Sequence, residues 1–140
     1  MARAAALVLA LAWFLAGVPA GAEHEVYYRY VVLGFVKDAR GKPVAGKPLE
    51  LTRDKTGFSY VAETDDKGFY LIITRLGDES AGESLTLRLD RASTKLTARF
   101  DPANHTDDRG TRVDVDGARF IERAAWFPST LAQALGAARR

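Results

Sequence analysis

Residues 84–100, SLTLRLDRASTKLTARF, alternate apolar and polar side chains more cleanly than any other part of the chain. Leu85, Leu87 and Leu89 share one face, with Thr86, Arg88 and Asp90 on the other; Leu96, Ala98 and Phe100 repeat the pattern after Arg91-Ala92-Ser93. Successive side chains of a strand point to opposite faces, so 84–90 and 94–100 read as a hairpin with one wet face. The apolar face of such a hairpin has to be covered by a second layer, which rules out a free-standing ribbon.

The same period recurs. Val26–Val36 is rich in tyrosine and valine, carries the single charge Arg29, and reads as a strand buried on both faces. Leu49 and Leu51 alternate with Glu50 and Thr52; Phe58, Tyr60 and Ala62 with Ser59, Val61 and Glu63; Phe69, Leu71 and Ile73 with Tyr70, Ile72 and Thr74. Val113 and Val115 point inward from a weaker strand over 111–115. Turn-forming residues separate these runs: 38–43 with Gly46, 54–57, 64–68, and Asp116-Gly117. Residues 78–83 and 102–110 read as polar loops. No room is left for the crossover helices, about a dozen residues each, that a parallel sheet needs. The expected fold is therefore all-β, a seven-stranded antiparallel sandwich with Greek-key connections.

The two ends differ from this body. Arg3, the apolar run Ala4–Leu15, the breakers Gly17 and Pro19, and the box Ala20-Gly21-Ala22 spell a secretory signal over 1–22, cut after Ala22. The alternative is an uncleaved anchor, although the run is shorter than the ~20 residues of a spanning helix. The chain is expected to be exported, to the periplasm or beyond, with no transmembrane segment after cleavage. Residues 23–123 form the sandwich domain and 124–140 a tail, in which Ser129 or Thr130 caps a short helix with Leu131, Leu135 and Ala138 on one face.

Composition narrows the chemistry. Cysteine is absent, which removes disulfides, thiol nucleophiles and thiolate metal sites. Twenty basic residues face 18 acidic ones, interspersed along the chain, so no field favours nucleic acid. The histidines, His24 and His105, lie near no serine-nucleophile turn. Asp65, Asp66, Lys67 and Gly68 suit a tight turn in which a carboxylate accepts backbone N–H groups, rather than a calcium loop, whose alternating oxygen ligands are missing.

A family resemblance rests on the turn residues. Gly34-Phe35-Val36, Asp38, Gly41, Pro43-Val44, Gly46 and Leu49-Glu50-Leu51, followed by Thr56-Gly57 and Thr64–Tyr70, resemble the carboxypeptidase regulatory-like domain, a transthyretin-like (prealbumin-like) sandwich. The resemblance covers 33–73. It implies a seven-stranded accessory or binding domain without catalytic residues. A hydrolase of that fold carries a Tyr-Arg-Gly-Ser terminus and paired histidines; this chain ends Ala-Ala-Arg-Arg.

The resulting expectation is a non-enzymatic exported module, without cofactor, that contacts a protein of the cell envelope or a glycan. Its candidate surface is Tyr28, Arg29, Tyr30, Trp126 and Phe127, with Tyr27 and Arg123 nearby in sequence; the same aromatics also suit a core. The alternative is a small periplasmic metal-binding protein in which Asp101, His105, Asp107 and Asp108, with Asp114 as a further donor, hold an ion in the polar loop.

Overall fold

In the computed structural model, residues 26–138 are described. The expected signal segment, His24 and the terminal arginines lie outside them. Eight strands follow in order: β1 (Arg29–Lys37), β2 (Pro48–Arg53), β3 (Ser59–Glu63), β4 (Phe69–Arg75), β5 (Ser84–Leu89), β6 (Ala92–Thr97), β7 (Gly110–Asp116) and β8 (Arg119–Glu122). Among the described residues there is one α-helix, α1, Phe127–Ala138. The strands form two four-stranded sheets, ordered β4-β1-β7-β8 and β3-β2-β5-β6. The all-β sandwich with one short C-terminal helix is as the sequence indicates.

Alternation explains the layers. Leu49, Leu51, Leu85, Leu87, Leu89 and Leu96 from one sheet meet Tyr30, Val32, Val36, Tyr70, Ile72, Val113 and Val115 from the other. The opposite face of β1, Val31 and Leu33, packs on Phe127 and Leu131 of α1, with Phe69 and Leu71 of β4 beside them. β1 is thus buried on both sides, as its valine-rich run suggests. Two buried hydroxyls inside the sandwich find carbonyls: Tyr70 donates to Val113 O at 2.6 Å and Thr74 to Tyr30 O at 2.8 Å. Burial pushes the Tyr30 phenol up to about 12 and that of Tyr70 higher still.

Several details depart from the sequence reading. A 3-10 turn, Val26–Tyr28, precedes β1. The hairpin of β5 and β6 turns at Asp90, which adopts φ 52°, and β6 starts at Ala92. An eighth strand, β8, pairs with β7 beyond Asp116-Gly117; in only four residues, with Phe120 and Ile121 adjacent, it shows no alternation. The pairing of β1 with β7 is parallel, Leu33 opposite Arg112 and Val36 opposite Val115. The connection that makes it possible is most of the domain rather than a helix.

The segment TDDKGFY carries the chain from β3 in one sheet to β4 in the other. Asp65 Oδ1 accepts the N–H groups of Lys67 and Phe69 at 2.8 and 2.9 Å, and Gly68 takes φ 77°. Asp65 is the capping carboxylate.

Candidate functional site

The outward side chains of β1 and β4 that lie beyond the helix contact set up a cleft. Phe35 and Phe69 are directly opposed across the β1–β4 ladder, their rings 5.2 Å apart and tilted by 52°. Together with Asp65 and Lys67 from the turn and Thr130, Gln133 and Ala134 from α1, they line an open cavity of about 440 Å³. Lys67 is exposed, while one oxygen of Asp65 is occupied by the turn.

Behind this cleft lies a fixed cluster of charges. Arg112 and Asp114, two apart on β7, share the face turned toward α1. Asp114 receives Arg112 Nη2 at 3.0 Å, the Phe35 N–H at 3.0 Å, and a short hydrogen bond from Arg123. Burial pushes the Asp114 carboxyl up, but these donors outweigh it and hold it below the usual carboxylate range. The Arg112 guanidinium stacks over Phe35 and Trp126 at 5.0 and 5.1 Å and donates to Thr130 Oγ1 at 3.0 Å. Thr130 in turn donates to Trp126 O at 2.6 Å. One wall of the cleft is therefore held by a satisfied ionic network rather than by exposed loops. Such an arrangement is suited to binding: aromatic surface on one side, the Lys67 ammonium and the Gln133 amide at the rim.

The candidates named from the sequence separate into different places. Tyr30 is 1% exposed and Phe127 3%; both are core, so they are withdrawn from the candidate binding surface because their faces of β1 and α1 are the packed ones. Tyr28 and Trp126 are 52% and 51% exposed, and Arg29 is half-buried.

In the polar loop, Asp101 accepts the Ala103 N–H, Asp107 accepts from Asn104 Nδ2 at 2.8 Å, and Asp108 lies 3.9 Å from Arg29. His105 turns away to Asp78, with Nε2 2.8 Å from Oδ2, and its ring stacks on Tyr27. The guanidinium of Arg109 and the imidazole hydrogen bond hold the Asp78 carboxyl below its ordinary range, against a smaller opposing effect of desolvation. Asp114 belongs to the other cluster. Among the described residues, no group of three or more acidic or histidine side chains is placed to hold a metal ion.

The cleft residues Lys67, Phe69, Thr130 and Gln133 are not singled out by the sequence. Lys67 reads as a turn residue and Thr130 as a cap; only the pairing of β1 with β4 and the docking of α1 bring them together.

No family model matches the chain, and no curated protein matches it either. Solved structures do. The dioxygenase domain of a dioxygenase–carbohydrate-binding protein fusion from Streptomyces sp. SirexAA-E is 18% identical, over 64% of this chain and 79% of that one, with a TM-score of 0.45. Catechol 1,2-dioxygenase from Acinetobacter sp. ADP1 is 12% identical, over 67% of this chain and 53% of that one, with a TM-score of 0.43. For 3-chlorocatechol 1,2-dioxygenase from Rhodococcus opacus 1CP the values are 16%, 70%, 58% and 0.38. The chain spans little more than half the length of the two latter enzymes.

These matches correct one expectation. A non-enzymatic accessory role was inferred from architecture and from the regulatory-domain resemblance, whereas the solved structures that match are dioxygenases. The non-enzymatic module, and with it the flat exclusion of an enzyme, is withdrawn. At this level of similarity nothing of the dioxygenases' chemistry is carried to this chain.

No helix among the described residues is long and apolar enough to cross a membrane.

Proposed function

We propose that the chain binds a small, flat organic acid in the cleft beside α1, its ring against Phe35 and Phe69 and its carboxylate toward Lys67. The observation that carries this reading is the pairing of two half-buried aromatic rings, 5.2 Å apart, with an exposed lysine in one cavity of about 440 Å³. Rings stack on such a pair in offset or tilted geometry. A carboxylate near Lys67 gains a charge-assisted hydrogen bond. Gln133 supplies a polar group at the far rim, and the network around Arg112, which already takes up the Thr130 hydroxyl, keeps that wall rigid and so lowers the ordering cost of binding.

The metal reading of the 101–108 loop retains one observation in its favour, the imidazole of His105 beside the Asp78 carboxylate. Two donors are fewer than the three protein ligands of an open zinc centre, and Arg109 already holds the other oxygen of Asp78 at 2.9 Å. Binding of an organic acid is the reading the geometry favours.

Titration with benzoate, cyclohexanecarboxylate, phenol and benzylamine, followed by saturation-transfer NMR, is the test. Benzoate is expected to bind best, with Phe69→Ala and Lys67→Ala each weakening it about tenfold. Equal responses to all four compounds, or benzoate binding that neither substitution alters, would overturn the reading.

A further inference from the structure

The two sheets present four edge strands, β4 and β8 in one and β3 and β6 in the other. Three of these edges are blunted. β8 has only four residues and β6 carries Lys95; in β4 the Arg75 N–H is taken by the Tyr60 hydroxyl at 3.2 Å, and Phe69 and Leu71 turn to α1. β3 has none of these devices. It pairs with β2 in an unbroken register, without proline or lysine, and among the described residues no strand lies on its other side. Arg53 N–H donates to Phe58 O at 2.8 Å and Thr64 N–H to Lys47 O at 3.0 Å. Bonded and non-bonded pairs alternate along an antiparallel ladder. In the observed register Tyr60 and Ala62 therefore bond to β2, while Ser59, Val61 and Glu63 turn their N–H and C=O groups to the open side. Val61 is 63% exposed and Phe58, one residue before the strand, 60%.

What fits this edge is set by its own sequence, SYVAE. Laid antiparallel on a second copy about Val61, the strand opposes Val61 with Val61 and Ser59 with Glu63. Every outward position then meets an outward position, and the strands exchange about six N–H···O bonds. Glu63 is the sole charge of the strand. Opposite Ser59 it meets a hydroxyl, which can donate to it while accepting from Thr52 Oγ1 at 2.8 Å, and it avoids the like charge that destabilises a cross-strand pair. A two-residue slip in either direction leaves fewer pairs and parts Glu63 from the serine. We infer that β3 is a self-association edge, at which two copies of this chain join their β3-β2-β5-β6 sheets into one continuous sheet with Val61 on the two-fold axis. One strand pair is small beside a standard interface of about 1,600 Å², so the dimer forms reversibly and at high protein concentration.

Sedimentation of the purified chain over a concentration series is the test, and a shift from monomer to dimer is expected. Val61→Lys alters an exposed side chain and sets two ammonium groups against each other, so it should weaken the dimer about tenfold or more. Val61→Pro removes an outward N–H that β2 does not use and should do the same. Ile73→Lys, on the β4 edge, should leave the dimer unchanged. Because the chain has no cysteine, Val61→Cys is a single probe: the opposed Cα atoms, about 5.5 Å apart, lie within disulfide reach, and mild oxidation should link the copies faster than it links Ser93→Cys on β6. A chain that stays monomeric up to about 1 mM overturns the proposal, even if an added extended peptide binds β3. So does a dimer that Val61→Lys leaves intact or Ile73→Lys weakens equally, or one in which both cysteine variants cross-link at the same rate.

Discussion

Gly68 occupies φ 77°, and a Cβ placed there would lie 2.4 Å from the Val36 carbonyl oxygen. Left-handed backbone and a backbone clash act together, so the neighbour cannot simply rotate away. Gly68→Ala is expected to cost roughly 2–3 kcal/mol, read as a lower denaturation midpoint with an unchanged slope. This position was legible: a glycine three residues after an aspartate, ahead of a returning apolar run, is a turn with a mechanism. Asp114 was not. The sequence offers it as a possible ligand, because nothing near it names its partners. The Phe35 N–H that it accepts lies 79 residues away, and in that register the carboxylate stands where a neighbouring strand would present a carbonyl.

Among the elements, α1 depends on what it touches. Twelve residues are marginal as an isolated helix, and the contact is made by Phe127 and Leu131 against Val31 and Leu33. The sequence puts Leu131 and Leu135 on one apolar stripe, yet Leu131 is buried and Leu135 is 47% exposed. Leu131→Ala is therefore expected to cost about 2–3 kcal/mol and Leu135→Ala about 0.5 kcal/mol or less, a contrast that paired thermal melts will resolve. Equal losses would mean that the helix packs along its whole length. Strand identity followed the same logic: β5 and β6 were legible because three alternations leave no other face to bury, and β8 was not, because four residues carry no period. For β4 both sides are apolar, and only the layer order shows that Tyr70 and Ile72 face the sandwich while Phe69 and Leu71 turn toward α1.

For the whole molecule, the acid response follows from carboxylates held below their ordinary range. Asp114, Asp78 and Glu83 are all lowered, and Asp54 is drawn down to about 2, chiefly by hydrogen bonds from Lys95, Thr86 and Ser84. In each case the folded state binds its proton at lower pH than the unfolded chain does. Their stabilisation is complete above the unfolded carboxylate range, near 4, and is lost as pH falls through the folded values. Urea midpoints should stay level from pH 7 to about 5 and decline from about 4 toward 2. Asp114→Asn should lower stability at pH 7 by roughly 2–4 kcal/mol, since it leaves two arginines beside a neutral amide, and should flatten the acid limb. A midpoint that rises on acidification would contradict this assignment. The class of fold, two layers of alternating strands, was readable at this scale because every run needs a partner face; which strand lies beside which was readable only for the hairpin of β5 and β6, since neither the opposition of Phe35 with Phe69 nor that of Leu33 with Arg112 leaves a local mark.

The parallel contact between β1 and β7 has a kinetic corollary. A strand near the start of the domain lies in the middle of its sheet, and one of its two neighbours is made of residues 110–116. Until that late segment arrives, β1 has one flank unsatisfied, and closing so distant a pair is an entropically slow step. During synthesis the chain thus holds an open docking edge until residues 110–116 have emerged, the interval in which a holding chaperone would be needed most.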